Sequence, residues 1–295
     1  MRVNPDLRSA LLASLNRVDA NQQTLLNQIS SGVRIQTPAD DPAGAASLVE
    51  VQAEDAATEQ YVASTNVLES QMQAADSALN SVGEALNRAL SLGAQGGDGT
   101  LSDSNRSAIG NELGGIKDQL LQLGNSSFQG KYLFAGTAVS TTPYVSDATS
   151  PTGISYRGND AANQVEIGQN YWIQSNVPGS SIFGDGSDGI FKAISDLITA
   201  VQNNSGVNAA TTEIGTMIGQ VSSARVQYGN AMNQLTSSQG MLNNDHVQLQ
   251  QQINNLSATD IAKAASDLAT VQNQRSALFN VIAKTNSDSL FNYLP

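Results

Sequence analysis

The 295-residue chain holds a single histidine, His246, in the stretch NNDHVQLQQQ. An imidazole can hold a metal ion or move a proton near neutral pH. Both tasks need neighbours, and the chain has no second histidine and no cysteine. His246 falls in a helical pattern and reads as a solvated or interhelical side chain. Two acidic pairs come next. Asp40 and Asp41 directly precede Pro42, an order that suits a helix start: a carboxylate accepts a free backbone N–H, and proline has none to satisfy. Asp185 and Asp188 lie in GDGSDG, which lacks the spacing and the distal glutamate of a calcium loop. Trp172 and Tyr171 read as packing residues of a strand-rich segment rather than as a ligand platform. There is no GxSxG, Walker loop, dinucleotide-binding GxGxxG or HExxH. No catalytic, cofactor-binding or metal residue is therefore assigned, and no enzyme is expected.

Charge narrows the partners. The net charge is −12, and no basic cluster is present to neutralise phosphates. Neither nucleic acid nor an anionic membrane surface is an expected partner. No run of 18 apolar residues is present, and MRVNPDLRSALLASLNRVD is broken by Asn4, Pro5, Asp6 and Arg8. Neither a transmembrane helix nor a cleaved secretory signal is expected. Without cysteine, disulfides and thiolate chemistry are excluded.

What the sequence carries in place of chemistry is a repeated helical seam. Near the N-terminus, Leu11, Leu15, Val18, Leu25 and Ile29 follow steps of four, three and seven, with Gln22 in the polar slot. Near the C-terminus, Ile261, Ala264, Leu268, Val271, Leu278 and Ile282 repeat the spacing, with Arg275 as the interruption. Such a stripe needs a partner helix to cover it. The two ends are expected to lie side by side, and the polar breaks favour packing between molecules over a closed pair within one.

Prolines punctuate the chain and leave 43–142 and 179–294 free for long helices. Helices are predicted from about Pro5 to Ser31, stopped by Gly32; from Pro42 to about Leu92, with the stripe Leu68, Met72, Ala75, Leu79, Val82, Leu86 and Ala89; and from a Ser102 cap to about Gly124. Further helices are expected near Asp188, from about Asn208 to Asn255, and after a cap at Ser257–Asp260. Nine of the 14 aromatic residues fall between Phe128 and Phe191. That stretch alternates short apolar runs with turns, so a small β-rich domain is predicted there. The fold class expected is mainly α, a long antiparallel helical bundle or coiled-coil rod with an inserted β-rich domain. Its divisions are 1–40 with 256–295, 41–130 with 186–255, and 131–185.

The segment SSGVRIQTPADDPAGAA, Ser30 to Ala46, resembles the signature of the bacterial flagellin superfamily, carried by Gly32, Arg34, Asp40 and Asp41. Pro42 after the aspartates is similar to the branch that forms the hook–filament junction. KYLFAGT, with Lys131, Tyr132, Leu133, Phe134, Ala135 and Gly136, strengthens that likeness. So do ISYRGN, Ile154 to Asn159, and SDSLFNYL, Ser287 to Leu294. The resemblance implies a structural adaptor at the hook–filament junction, with a filament flagellin subunit as the alternative. It implies self-association in a ring, contacts with hook-associated protein 1 and with flagellin, and a cytoplasmic export chaperone on the C-terminal helix. It also implies export without a cleaved signal, no cofactor, and an extracellular place on the flagellum. The terminal helices would form the inner tube and 131–185 would face outward.

Overall fold

The structure is a computed structural model that describes residues 5–287. In chain order it has α1 (Pro5–Ser31), α2 (Pro42–Gly96) and α3 (Asp103–Gly124). Then come β1 (Ser127–Phe128), β2 (Lys131–Tyr132), β3 (Tyr144–Ser146), β4 (Ile154–Tyr156), β5 (Gln164–Gly168) and β6 (Tyr171–Gln174). The chain returns through α4 (Gly179–Phe183), α5 (Gly189–Gln202), α6 (Val207–Ser257) and α7 (Ile261–Ser287). The contacts divide it into two compact units: the two ends, up to Ala57 and from Asp245, and the stretch Thr58–Asn244.

In the Thr58–Asn244 unit the predicted α2 stripe is the core. Leu68, Met72, Ala75, Leu79, Val82, Leu86 and Ala89 are all buried. They share one hydrophobic cluster with Ile214, Val221, Tyr228 and Leu235 of α6. Polar pairs fix the direction: Arg225 grips Asp76 through two nitrogens at 2.8 and 3.2 Å, and Gln239 reaches Asn66 and Glu69. Residue numbers fall along α2 as they rise along α6, so the helices are antiparallel. Ser102 caps α3 as expected, its hydroxyl accepting the Asn105 N–H.

α2 runs one turn past its predicted stop near Leu92. Gly93 and Gly96, in the stretch beyond Leu92, are points of close approach. A Cβ on Gly93 would sit 2.4 Å from Thr211 Cγ2 and 3.0 Å from Leu197 Cδ1. Only a residue without a side chain lets α5 and α6 come this near.

The strand-rich insert is present, but as three separate two-stranded antiparallel ribbons, β1–β2, β3–β4 and β5–β6. None is long enough to be stable alone. They are held by the helices' own core, which takes in Leu133, Phe134, Tyr144, Ile154, Ile167 and Ile173. Tyr144 is the hub. Its ring lies 5.0 to 5.5 Å from those of Tyr156, Phe183 and Phe191, and its hydroxyl donates to Gly184 O at 2.9 Å. Burial drives its pKa far up, so it stays a neutral donor.

Candidate functional site

The chain ends pack on each other. α1 and α7 are in contact. Leu11, Leu15, Val18, Leu25 and Ile29 on α1, and Leu268, Val271, Leu278 and Ile282 on α7, are half-buried, while Ala264 is buried. Ile261 stands 56% exposed at the first turn of α7. The stripes, expected to pack mainly between molecules, thus meet within one chain. Arg275, the apparent break, pairs with Asp19 of α1 at 2.8 Å and lies over the Phe279 ring. It serves as a register pin across the seam. The covering is incomplete, since Leu12, Leu26, Phe279 and Val281 are 41–48% exposed. Two helices can shield only one face of each other, and these side chains lie on the uncovered faces.

The second constellation is the turn between α1 and α2. Gly32 closes α1 in the left-handed region at φ +72°, its N–H donating to Gln28 O. Val33 then forms an antiparallel bridge with Ala258, between α6 and α7. Arg34 N donates to Ser257 O at 2.6 Å, and Thr259 N donates to Gly32 O at 2.9 Å. The Arg34 guanidinium divides its two ends. Nη1 meets Asp41 Oδ2 and Nη2 meets Leu256 O, both at 3.0 Å. A cation is favourable there because Leu256 O lies at the carbonyl end of α6.

Asp40 accepts the N–H groups of Gln36 and Thr37, and Asp41 accepts that of Gly44, capping α2 with Pro42 as its first residue. The backbone N–H groups of Thr37 and Gln36 hold the Asp40 carboxyl below its ordinary range. Gly44 N–H, with Arg34 beside it, does the same for Asp41. Ile35 is the one buried apolar residue of the turn. A Cβ on Gly44 would meet Asp41 Oδ2 at 2.5 Å and Ile35 Cδ1 at 2.8 Å. The glycine in DDPAG therefore makes room for the cap. The motif is a clasp joining the end of α1, the start of α2 and the α6–α7 turn.

KYLFAGT performs the same office for the ribbons. Lys131 is exposed and Tyr132 half-buried, while Leu133, Phe134, Ala135 and Gly136 are buried. Phe134 stacks edge-on against Phe183 at 5.3 Å, and its carbonyl accepts from Gly179 N and the Tyr156 hydroxyl. Gly136 O accepts the amides of Asn163 and Asn176. The motif is core and scaffold, with only Lys131 and Thr137 on the surface.

His246 is interhelical. Its Nδ1 lies 2.7 Å from Asp55 Oδ1, and Gln250 donates to Asp55 Oδ2 at 2.6 Å. The GDGSDG carboxylates are consumed by their turn: Asp185 accepts from Ser187, and Asp188 accepts the Asp185 N–H. Trp172 and Tyr171 depart from expectation. They are 55% and 47% exposed, because Ile173 takes the inward side of β6. No helix among the described residues is long and apolar enough to cross a membrane.

Comparison with known proteins accounts for this arrangement. The bacterial flagellin N-terminal helical region matches residues 6–139, and the bacterial flagellin C-terminal helical region matches 211–294. The chain belongs to the bacterial flagellin family. Among relatives of this flagellin-family chain, flagellar hook-associated protein 3 of Salmonella typhimurium is 24% identical over 306 residues. That match covers 95% of each chain. A Bacillus subtilis flagellin is 27% identical over 288 residues, 90% of each chain. The crystal structure of flagellar hook-associated protein-3 from Legionella pneumophila superposes with a TM-score of 0.65 at 12% identity. It covers 70% of this chain and 98% of that one, a likeness of fold.

Both flagellin regions take in an element of the clasp and of the α1–α7 seam. Sequence reasoning missed Asp19, Ile35 and Asp55. The only signal for Asp19 was its opposite charge to Arg275 across two matching stripes. The motif SDSLFNYL lies beyond the described residues after Ser287.

Proposed function

We propose that this flagellin-family protein is a structural adaptor of the bacterial flagellum at the hook–filament junction, linking hook-associated protein 1 to flagellin. One observation carries the reading: its match to a hook-associated protein 3 runs through both ends and the insert, over 95% of each chain. The half-covered α1–α7 pair, with Leu12, Leu26, Phe279 and Val281 exposed, gives such an adaptor apolar surface to bury against neighbours. A repeated heterologous contact of this kind closes a ring or extends a stack. The divisions 1–40 with 256–295, 41–130 with 186–255 and 131–185 would be the inner tube, the next shell and the outward face. The chain would leave the cell unfolded, with a chaperone covering α7 until assembly. The work is mechanical and needs no cofactor.

The second reading is a filament flagellin, favoured by the Bacillus subtilis match over 90% of each chain. Immunogold electron microscopy of intact cells, with antibody to residues 131–185, separates the two. A single cluster just beyond the hook establishes the adaptor. Label along the whole filament establishes the flagellin.

A further inference from the structure

The Thr58–Asn244 unit has a groove between β6 and α6. It encloses about 370 Å³ and is lined in part by Trp172, Gln174, Gln227, Tyr228, Asn230 and Gln234. That volume falls at the lower end of the roughly 300–1,000 Å³ usual for small-ligand sites. Trp172 is the chain's only tryptophan and is 55% exposed, whereas Phe134, Tyr144, Phe183 and Phe191 are wholly buried. Leaving so large an apolar face in water is costly unless something covers it. Trp172 and Gln174 lie two apart on β6 and so share a face.

The polar groups are of one kind. No charged side chain lines the groove, although the chain carries a net charge of −12. Gln227, Asn230 and Gln234 fall at spacings of three and four on α6, on one helical face. Their amides make no hydrogen bond among the described residues. Tyr228 forms part of the wall at 3% exposure. Its oxygen accepts the Val177 N–H at 3.0 Å, and its own proton has no acceptor among the described residues. Burial pushes the phenol pKa up to about 12, so the proton stays in place at neutral pH. A buried donor left open wants an acceptor.

We propose that this groove binds a neutral oligosaccharide, with one sugar ring stacked on Trp172 and its hydroxyls hydrogen-bonded to Tyr228 and to the amides of Gln227, Asn230 and Gln234. A hydroxyl both donates and accepts, and so does an amide, so the two match without any charge. An anionic ligand would find no cation in the wall and a cationic one no carboxylate. A wholly apolar ligand would leave the Tyr228 proton and three amides unused. A pyranose offers an apolar C–H face to the indole and polar edges to the rest.

The test uses the full chain on an array of neutral and charged glycans, followed by titration of the hits. Trp172 reports directly, because its emission is the only tryptophan signal in the protein. The expected result is saturable binding of one or more neutral glycans with a shift of that emission. Asn230→Ala and Gln234→Ala should each raise the dissociation constant by about tenfold, or about 1.4 kcal/mol. Trp172→Ala should abolish array binding, with the aromatic circular dichroism of the buried tyrosines showing that the fold is kept. Absence of any neutral hit would overturn the proposal, as would binding of charged glycans alone or hits that survive Trp172→Ala. So would an emission shift that follows protein concentration without sugar, because the groove would then be occupied by a second copy of the chain.

Discussion

At the scale of the residue, the clasp turns on Arg34, which holds Asp41 with one nitrogen and Leu256 O with another. The ion pair alone is exposed and worth little. The value of arginine here is its fork, which spans two partners that a lysine ammonium cannot hold together. Arg34→Lys should therefore lower the melting temperature of the terminal unit nearly as much as Arg34→Ala, read from thermal unfolding at 222 nm. Full retention of stability in the lysine variant would show that charge alone matters. The aspartates add a pH dependence of known sign. Asp40 and Asp41 titrate below the ordinary aspartate value of 3.8 in the folded chain. Their contribution is therefore fully present above 3.8, and it is lost as pH falls below 3.8 through the lowered values. The amide proton shifts of Gln36, Thr37 and Gly44 should move with midpoints under 3.8. Midpoints at or above that value would mean the carboxylates are not held by these N–H groups.

At the scale of the element, each terminal helix has two apolar faces. Leu15 and Leu278 are half-buried in the α1–α7 pair, while Leu12 is 48% exposed beside it. Leu15→Asp and Leu278→Asp place a charge in the half-covered seam, where it loses part of its water and removes an apolar contact. Both should lower the helical signal of the terminal unit and prevent incorporation into the flagellum. Leu12→Asp should leave that signal unchanged and still prevent incorporation, because its face is free for a neighbour. Normal motility of the Leu12→Asp strain would leave the outer face without a role in assembly. The stripes themselves were legible because heptad spacing survives in the order of residues. Which helix would cover them was not legible, since a stripe states the need for a partner and not its identity. The Asp19–Arg275 pair decides for the same chain, and its members are 256 positions apart.

At the scale of the whole molecule, helices and insert behave differently from their appearance in the sequence. Alternating apolar runs between Lys131 and Ile182 showed that strands would form, and they do. Periodicity carries no information about sheet membership, so three isolated ribbons and one small sheet read alike. Trp172 was misplaced for the same reason, because register alone decided that Ile173 points inward. The ribbons have no core of their own. Tyr144 and Phe134 from the insert meet Phe183 and Phe191 on the returning helices, and all four are in one cluster with Leu79 of α2 and Val221 of α6. Ribbons and helices of the Thr58–Asn244 unit should therefore unfold together. Phe134→Ala removes a fully buried ring and should cost about 3–5 kcal/mol. Its effect should appear as an equal fall in melting temperature in the near-ultraviolet signal of the tyrosines and in the helical signal at 222 nm. If the tyrosine signal melted earlier while the helices kept their wild-type transition, the insert would be an independent body. The KYLFAGT motif would then be a local feature of the ribbons rather than the tie that makes them part of the helical core.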